Sequence, residues 1–226
     1  MTRRLQEETT REIDKELQQS VMDELSWDPS VDAAAIGVSI DSGVVMLSGT
    51  VHSLSEKWAA ERATERVKGV KAISDEIVVE LSSDFRRGDS DIARAATNAL
   101  DWNASVPLGR IQVIVQNGWV TLDGAVDRHF QKAEAERVVR SLVGVRGVVN
   151  RIDVKPPIST ADVKSQIVKA LERAAEIDAK KIWVEICDSK VILSGSVRSL
   201  VEREEAERAA WAAPGISAVV NSIEIA

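Results

Sequence analysis

The sequence predicts an α+β protein of three tandem αββαβ modules, each a three-stranded sheet with two helices on one face. Three observations carry this reading. The segment VMLSGTV (Val45 to Val51) returns as VTLDGAV (Val120 to Val126) and VILSGSV (Val191 to Val197), at offsets of 75 and 71 residues. Twenty positions past each central glycine (Gly49, Gly124, Gly195) stands a second one (Gly69, Gly144, Gly215). Between them Ala-Glu-Arg recurs in register, starting at Ala60, Ala135 and Ala206. Self-similarity at a near-fixed period means repeated structural units. They are placed here at 14–81, 89–155 and 160–226, after an N-terminal extension of residues 1–13.

Each module opens with a helical stripe at i, i+4, i+8: Leu17, Val21, Leu25; Ile92, Ala96, Leu100; Val163, Ile167, Leu171. Asp14, Asp89 or Ser90, and Thr160 are the expected N-caps. Period-two alternation follows at Ile36, Val38, Ile40; Ile111, Val113, Val115; Ile182, Val184, Ile186, the mark of a strand buried on one face. Ser42-Gly43 and Asn117-Gly118 are hairpin turns, and Asp188-Ser189 is a poorer one. The VxLxGxV run is the returning strand. Its glycine shares the inward face with Val45, Leu47 and Val51, so a close helix crossing or a bulge is expected at Gly49, Gly124 and Gly195.

A second helix is predicted over 53–68, 128–143 and 199–212, with Gly69, Gly144 and Gly215 as left-handed caps. The closing strand turns Ile73, Ile77, Val79; Val148, Ile152, Val154; and Val219, Ile223, Ile225 inward. If this strand runs parallel to the one before the helix, the connection is a right-handed crossover. The links are short: 82–88, and Pro156-Pro157-Ile158-Ser159, whose prolines favour extended backbone.

Composition excludes several classes. With 44% hydrophobic and 29% charged residues the chain is globular, and no window offers the roughly 20 apolar residues of a spanning helix. A net charge of −7 argues against nucleic acid as a partner. A single cysteine, Cys187, excludes an internal disulfide framework. Neither GxSxG nor a Gly-Lys-Ser/Thr run occurs, so no enzyme activity, cofactor or metal is expected. Residues 1–14 hold no apolar signal core, so the chain as written is expected in the cytoplasm, and a mature or trimmed form in the periplasm.

The αββαβ order, the VxLxGxV strand, the Ala-Glu-Arg helix and the Gly-Val or Gly-Ile before the last strand resemble the BON domain (bacterial OsmY and nodulation) family over about nine-tenths of the chain. The resemblance implies a non-enzymatic module linked to phospholipid binding, envelope maintenance and osmotic stress. The fold is also similar to ring-building modules of secretion systems, which implies self-assembly into a homo-oligomer or filament as the alternative. An anionic phospholipid, a protein client and further copies of the chain are the expected partners.

Two helices cover one side of a sheet, so alternate strand positions face water. They include Ile114, Trp119 and Val149 in module two, Trp183, Ile192 and Val220 in module three, and Val44, Met46 and Val78 in module one. An exposed apolar patch marks an interaction surface. Another module or another subunit is expected to cover Trp119 and Trp183, with lipid or a client as the alternative partner of the patch.

Trp27 and Trp102 occupy equivalent positions at the end of the first helix and are read as plugs of the core, or alternatively as interfacial anchors. His52 and His129 are read as surface-loop histidines, and Cys187 as an incidental small residue. Formal charge is −7, +1 and −2 in the three modules. Arg128, Lys132 and Arg140 on one helix, with Arg146 and Arg151 beyond it, are the candidate headgroup contacts. The alternative is a solvated helix face compensated by Glu134 and Glu136.

Overall fold

The computed structural model describes residues 2–155, 163–174 and 181–225. The first apolar stripe lies on α1 (Thr2–Trp27), which precedes a hairpin of β1 (Ile36–Asp41) and β2 (Val44–Val51), then α2 (Leu54–Arg66) and β3 (Ala72–Val79). The second module repeats this as α3 (Asp89–Asp101), β4 (Ile111–Gln116), β5 (Trp119–Val126), α4 (His129–Arg140) and β6 (Gly147–Val154). The third is α5 (Val163–Arg173), β7 (Ile182–Cys187), β8 (Lys190–Val197), α6 (Leu200–Trp211) and β9 (Ala218–Ile225). The fold is therefore α+β with three repeats, one three-stranded sheet in each. By packing, the chain forms two units: Met1–Glu80 with Val197–Glu202 and Ile225–Ala226, and Leu81–Ser196 with Arg203–Glu224.

The returning strand is central in every sheet. It pairs antiparallel with the first strand, Ile36 facing Gly49 and Ile111 facing Gly124. In the first two modules it pairs parallel with the last strand, Val44 beside Ala72 and Trp119 beside Gly147. Val21, Leu25, Val45, Leu47, Val51 and Ile77 are buried in the first core, and Ile92, Leu122, Val126 and Ile152 in the second. Each such side chain, fully buried, contributes about 1.5–3 kcal/mol.

The expected N-caps are corrected by the structure. α1 begins at Thr2, so Asp14 lies within the helix, and Gly88 rather than Asp89 or Ser90 precedes α3. Thr160 lies outside the described residues. The two carboxylates serve the hairpins instead. Asp14 accepts from the N–H of Ser42 at 2.9 Å and of Gly43 at 3.1 Å. Asp89 accepts from Asn117 at 2.8 Å and Gly118 at 2.9 Å. Both turns have two successive residues at positive φ (54° and 84°, 53° and 80°), the type I′ geometry that matches strand twist. Its central amides point away from the strand ladder, and a carboxylate on the first helix satisfies both.

The central glycines are corrected as well. What comes closest to each is a backbone carbonyl, not the backbone of a packed α-helix. A Cβ on Gly49, Gly124 or Gly195 would stand 2.1, 2.2 or 1.9 Å from the carbonyl oxygen of Ala35, Arg110 or Lys181, the residue just before the partner strand. Their φ values of 127°, 145° and 126° also lie where side-chain-bearing residues rarely go. Gly69, Gly144 and Gly215 are left-handed (95°, 95°, 84°), but α2, α4 and α6 end earlier, at Arg66, Arg140 and Trp211. These glycines shape the turn into the last strand rather than the helix end.

The inward face of the last strand carries a polar residue among its apolar ones. Asn150 Nδ2 donates to Lys132 O (3.0 Å) and Glu136 Oε2 (2.9 Å) on α4, while its Oδ1 accepts from Ile152 N. Asn221 repeats all three bonds against Arg203, Glu207 and Ile223. In the first module Asp75 takes the place, paired at 2.5 Å with Lys57 and accepting from Ile77 N. The second helices share a start too: Ser53 and Ser199 accept from Glu56 N and Glu202 N, whose carboxylates reach back to His52 N and Arg198 N. In module two Gln131 accepts from both Asp127 N and Arg128 N.

Two substitutions rank these constraints. Gly124→Ala adds left-handed strain to a carbonyl clash and is expected to cost about 3 kcal/mol or more. Asp89→Ala orphans two turn amides that water partly reaches, and is expected to cost about 1–2 kcal/mol. Urea denaturation of both variants reads the order; Asp89→Ala as the more damaging change would contradict it.

Candidate functional site

Three surface features follow from this frame. The first is the outer sheet face. In module two it runs in rows set by register: Gln116–Trp119–Gly147, then Ile114–Thr121–Val149, then Gln112–Asp123–Arg151. Ile114, Trp119 and Val149 are exposed, as are Trp183 and Val220 in module three and Val44, Met46 and Val78 in module one, while Ile192 is half-buried. The two tryptophans hold different places. Trp119 opens the central strand, opposite Gln116, whereas Trp183 lies on the first strand of its sheet, opposite Ser194. The two residues are 52% and 63% exposed.

The second feature is a rim where α3 ends, β4 begins and α4 starts. Trp102 is 89% exposed, Leu108 74% and Phe130 54%. Asn103, next to Trp102, donates to Glu134 Oε1 at 2.8 Å, one turn along α4 from Phe130. Arg110 donates to Asp127 at 2.8 Å, beside the exposed N-cap Arg128. These two bonds join the segment that carries Trp102 and Leu108 to the start of α4, which carries Phe130. Arg137, and after it Asn103, hold the Glu134 carboxyl down at about 2.

Trp27, the counterpart of Trp102, is 83% exposed. Neither tryptophan plugs a core; the helices end with the indole directed past the packed layer. Their settings differ, because Trp27 adjoins Asp28, which shares Arg66 with Glu24.

The basic residues do not form one surface. Arg128 caps the start of α4, Lys132 lies in its first turn, and Arg140 at its far end is ion-paired with Glu136. Arg146 and Arg151 belong to the other side of the module: Arg146 borders the depression around Trp119, and Arg151 pairs in register with Asp123 on the outer face.

The third feature lies within the second packing unit. His129 is not a loop residue but the first residue of α4, half-buried, its ring stacked on Trp211 of α6 with centroids 4.2 Å apart and planes 12° apart. Nothing in the sequence relates these positions, 82 residues apart in the chain. Burial first, then Lys132, lower the His129 pKa, against Glu207 and Glu136. His52 sits in the turn after β2, its Nδ1 3.4 Å from Glu80 O, and Cys187 is exposed at a strand end. Among the described residues no group of three His, Cys, Asp or Glu side chains is placed to hold a metal ion.

The BON domain model matches residues 13–80, 88–156 and 159–226. The chain belongs to the BON domain family, in three copies. Over 130 residues it is 30% identical to osmotically-inducible protein Y of Escherichia coli (strain K12), a stretch that is 56% of this chain and 65% of that protein. Among solved structures, CdsD, a structural protein of the type III secretion system of Chlamydia trachomatis, aligns over 93% of this chain and 92% of its own, at 14% identity and a TM-score of 0.26. The CdsD C-terminal domain aligns over 92% and 96%, at 14% identity and a TM-score of 0.24.

The stack yields a pH prediction. Because the folded-state pKa of His129 lies below its ordinary 6.5, the contact's contribution is complete above 6.5 and is lost as pH falls through the lower, folded value. In an NMR titration the His129 ring is expected to titrate below 6.5, and to move back toward it in Trp211→Ala. A midpoint unmoved by that substitution would show that Trp211 does not bury the ring.

Proposed function

We propose that this chain is a non-enzymatic BON-repeat binding protein of the bacterial osmotic-stress or envelope response, and that it docks on anionic phospholipid through the rim of its second module. The observation that carries the reading is the exposure of Trp102, Leu108, Phe130 and Arg128 on two segments joined by the Asn103–Glu134 and Arg110–Asp127 bonds. Indole and phenyl rings beside a guanidinium suit the headgroup layer, where tryptophan partitions favourably. Each basic residue near an anionic surface adds about 1 kcal/mol. Among the described residues no helix is long and apolar enough to cross a membrane, so the attachment proposed is peripheral. The family and the 30% identity to an osmotically-inducible protein support the stress-linked setting.

A second reading, self-assembly, is supported by the outer faces around Trp119 and Trp183 and by the edge strands that bound each sheet. Vesicle flotation combined with light scattering separates the two. The full chain is expected to float with phosphatidylglycerol vesicles and not with phosphatidylcholine, and to be released at high salt. The triple variant Trp102→Ser, Leu108→Ser, Phe130→Ser is expected to lose flotation, and Trp183→Ser to keep it. Large particles without flotation sink the lipid reading in favour of assembly.

A further inference from the structure

A glycine in a strand interior needs a reason, and Gly147 has an unusual one. A Cβ built on it would stand 2.4, 2.5 and 2.7 Å from Cζ3, Cε3 and Cη2 of Trp119, its neighbour across the β5–β6 pair. The six-membered ring of the indole therefore lies on the glycine, one face against the sheet, while the side chain remains half exposed. A second glycine shapes the surroundings. At Gly118 a Cβ would meet Cγ and Cδ of Arg146 at 3.1 and 3.2 Å, so the arginine stem runs over the hairpin turn. Around the indole is an open depression of about 390 Å³ bounded by Ile114, Gln116, Asn117, Thr121 and Arg146.

The arrangement belongs to module two alone. The positions of Trp119 and Gly147 are held by Val44 and Ala72 in module one, and by Lys190 and Ala218 in module three. Core packing does not need the indole on this face, and the glycine beneath it gives up side-chain packing and conformational entropy in the strand.

We propose that this depression is a saccharide site that takes an acidic sugar ring. An indole fixed flat offers its open face to the C–H groups on one side of a pyranose. The amides of Gln116 and Asn117 and the hydroxyl of Thr121 supply the mixed donors and acceptors that ring hydroxyls require. Arg146 makes no ion pair with the described residues, and no carboxylate lines the depression. Its guanidinium is thus the group to receive a carboxylate on the sugar. The site lies apart from the Trp102 rim and does not depend on the lipid reading.

The test is an NMR titration of the full chain, following the indole N–H signals. One probe is an acidic tetrasaccharide of alternating glucuronate and N-acetylglucosamine; the other is neutral chitotetraose. The Trp119 signal, assigned by its loss in Trp119→Phe, is expected to move with a Kd of about 1 mM for the acidic probe, and the Trp183 signal to stay. Trp119→Ala and Gly147→Val, with Trp183 reporting an intact fold, are each expected to weaken binding by about tenfold or more. Arg146→Gln is expected to weaken the acidic probe by about tenfold and leave the neutral one unchanged. The proposal is overturned by no Trp119 shift at about 10 mM of either probe. Equal affinity for the two probes, binding that survives Trp119→Ala, or a Trp119 shift that follows protein rather than saccharide concentration overturns it equally.

Discussion

In each module one carbonyl must pass within about 2 Å of where a side chain would begin. The oxygen of Ala35, Arg110 or Lys181 occupies that space beside Gly49, Gly124 or Gly195. This approach sets where the loop from the first helix enters the sheet, and with it the register that places Ile36 opposite Gly49 and Ile111 opposite Gly124. Register in turn decides which residues face the helices, since a slip of one position exchanges the two faces. In the first two modules the other end of the same hairpin is held by a carboxylate on the first helix. The hairpin is thus fixed at its turn by Asp14 or Asp89 and at its open end by the glycine contact.

The layering that results has a consequence for binding. Two helices satisfy one side of a three-stranded sheet, and Asn150 and Asn221 tie the last strand to the second helix by side-chain amides. What lies outside this packed layer is free to vary without cost to the core. The variation is visible: Trp119 lies on Gly147 in module two, Val44 beside Ala72 in module one, and Lys190 at that position in module three. The helix ends vary similarly, with Trp27 and Trp102 nearly free of contact and Arg173 in their place in the third copy. One frame thus carries three different surfaces, and module two, with the rim and the indole shelf, is the most elaborated.

Much of this was legible before any coordinates. Apolar period and turn chemistry are local properties, and three copies of one pattern reinforce each other. Element order, the inward stripes, the hairpin turns and the exposed positions of Trp119 and Trp183 all follow from counting along the chain. Other local signals lie outside the apolar period. The Ser-x-x-Glu pairs Ser53–Glu56 and Ser199–Glu202 mark helix starts, and Asp75, Asn150 and Asn221 interrupt an apolar alternation at the same place in each copy.

The remainder has no periodic trace. The partners of Asp14 and Asp89 lie 28 and 29 residues away on a turn, and a carboxylate before an apolar stripe reads equally well as a helix cap. Trp27 and Trp102 read as core because indoles favour burial, yet their exposure depends on where the helix stops relative to the sheet. His129 and Trp211 meet only because two modules pack within one unit. The sequence by itself determined the repeat, its secondary structure and its buried face, since spacing along a chain suffices to specify them. Tertiary structure alone decided which side chains clamp the hairpins, which glycines admit a carbonyl or an indole, and which aromatics are left in water. Those outcomes depend on distances between segments, to which the order of residues in a single strand or helix is blind.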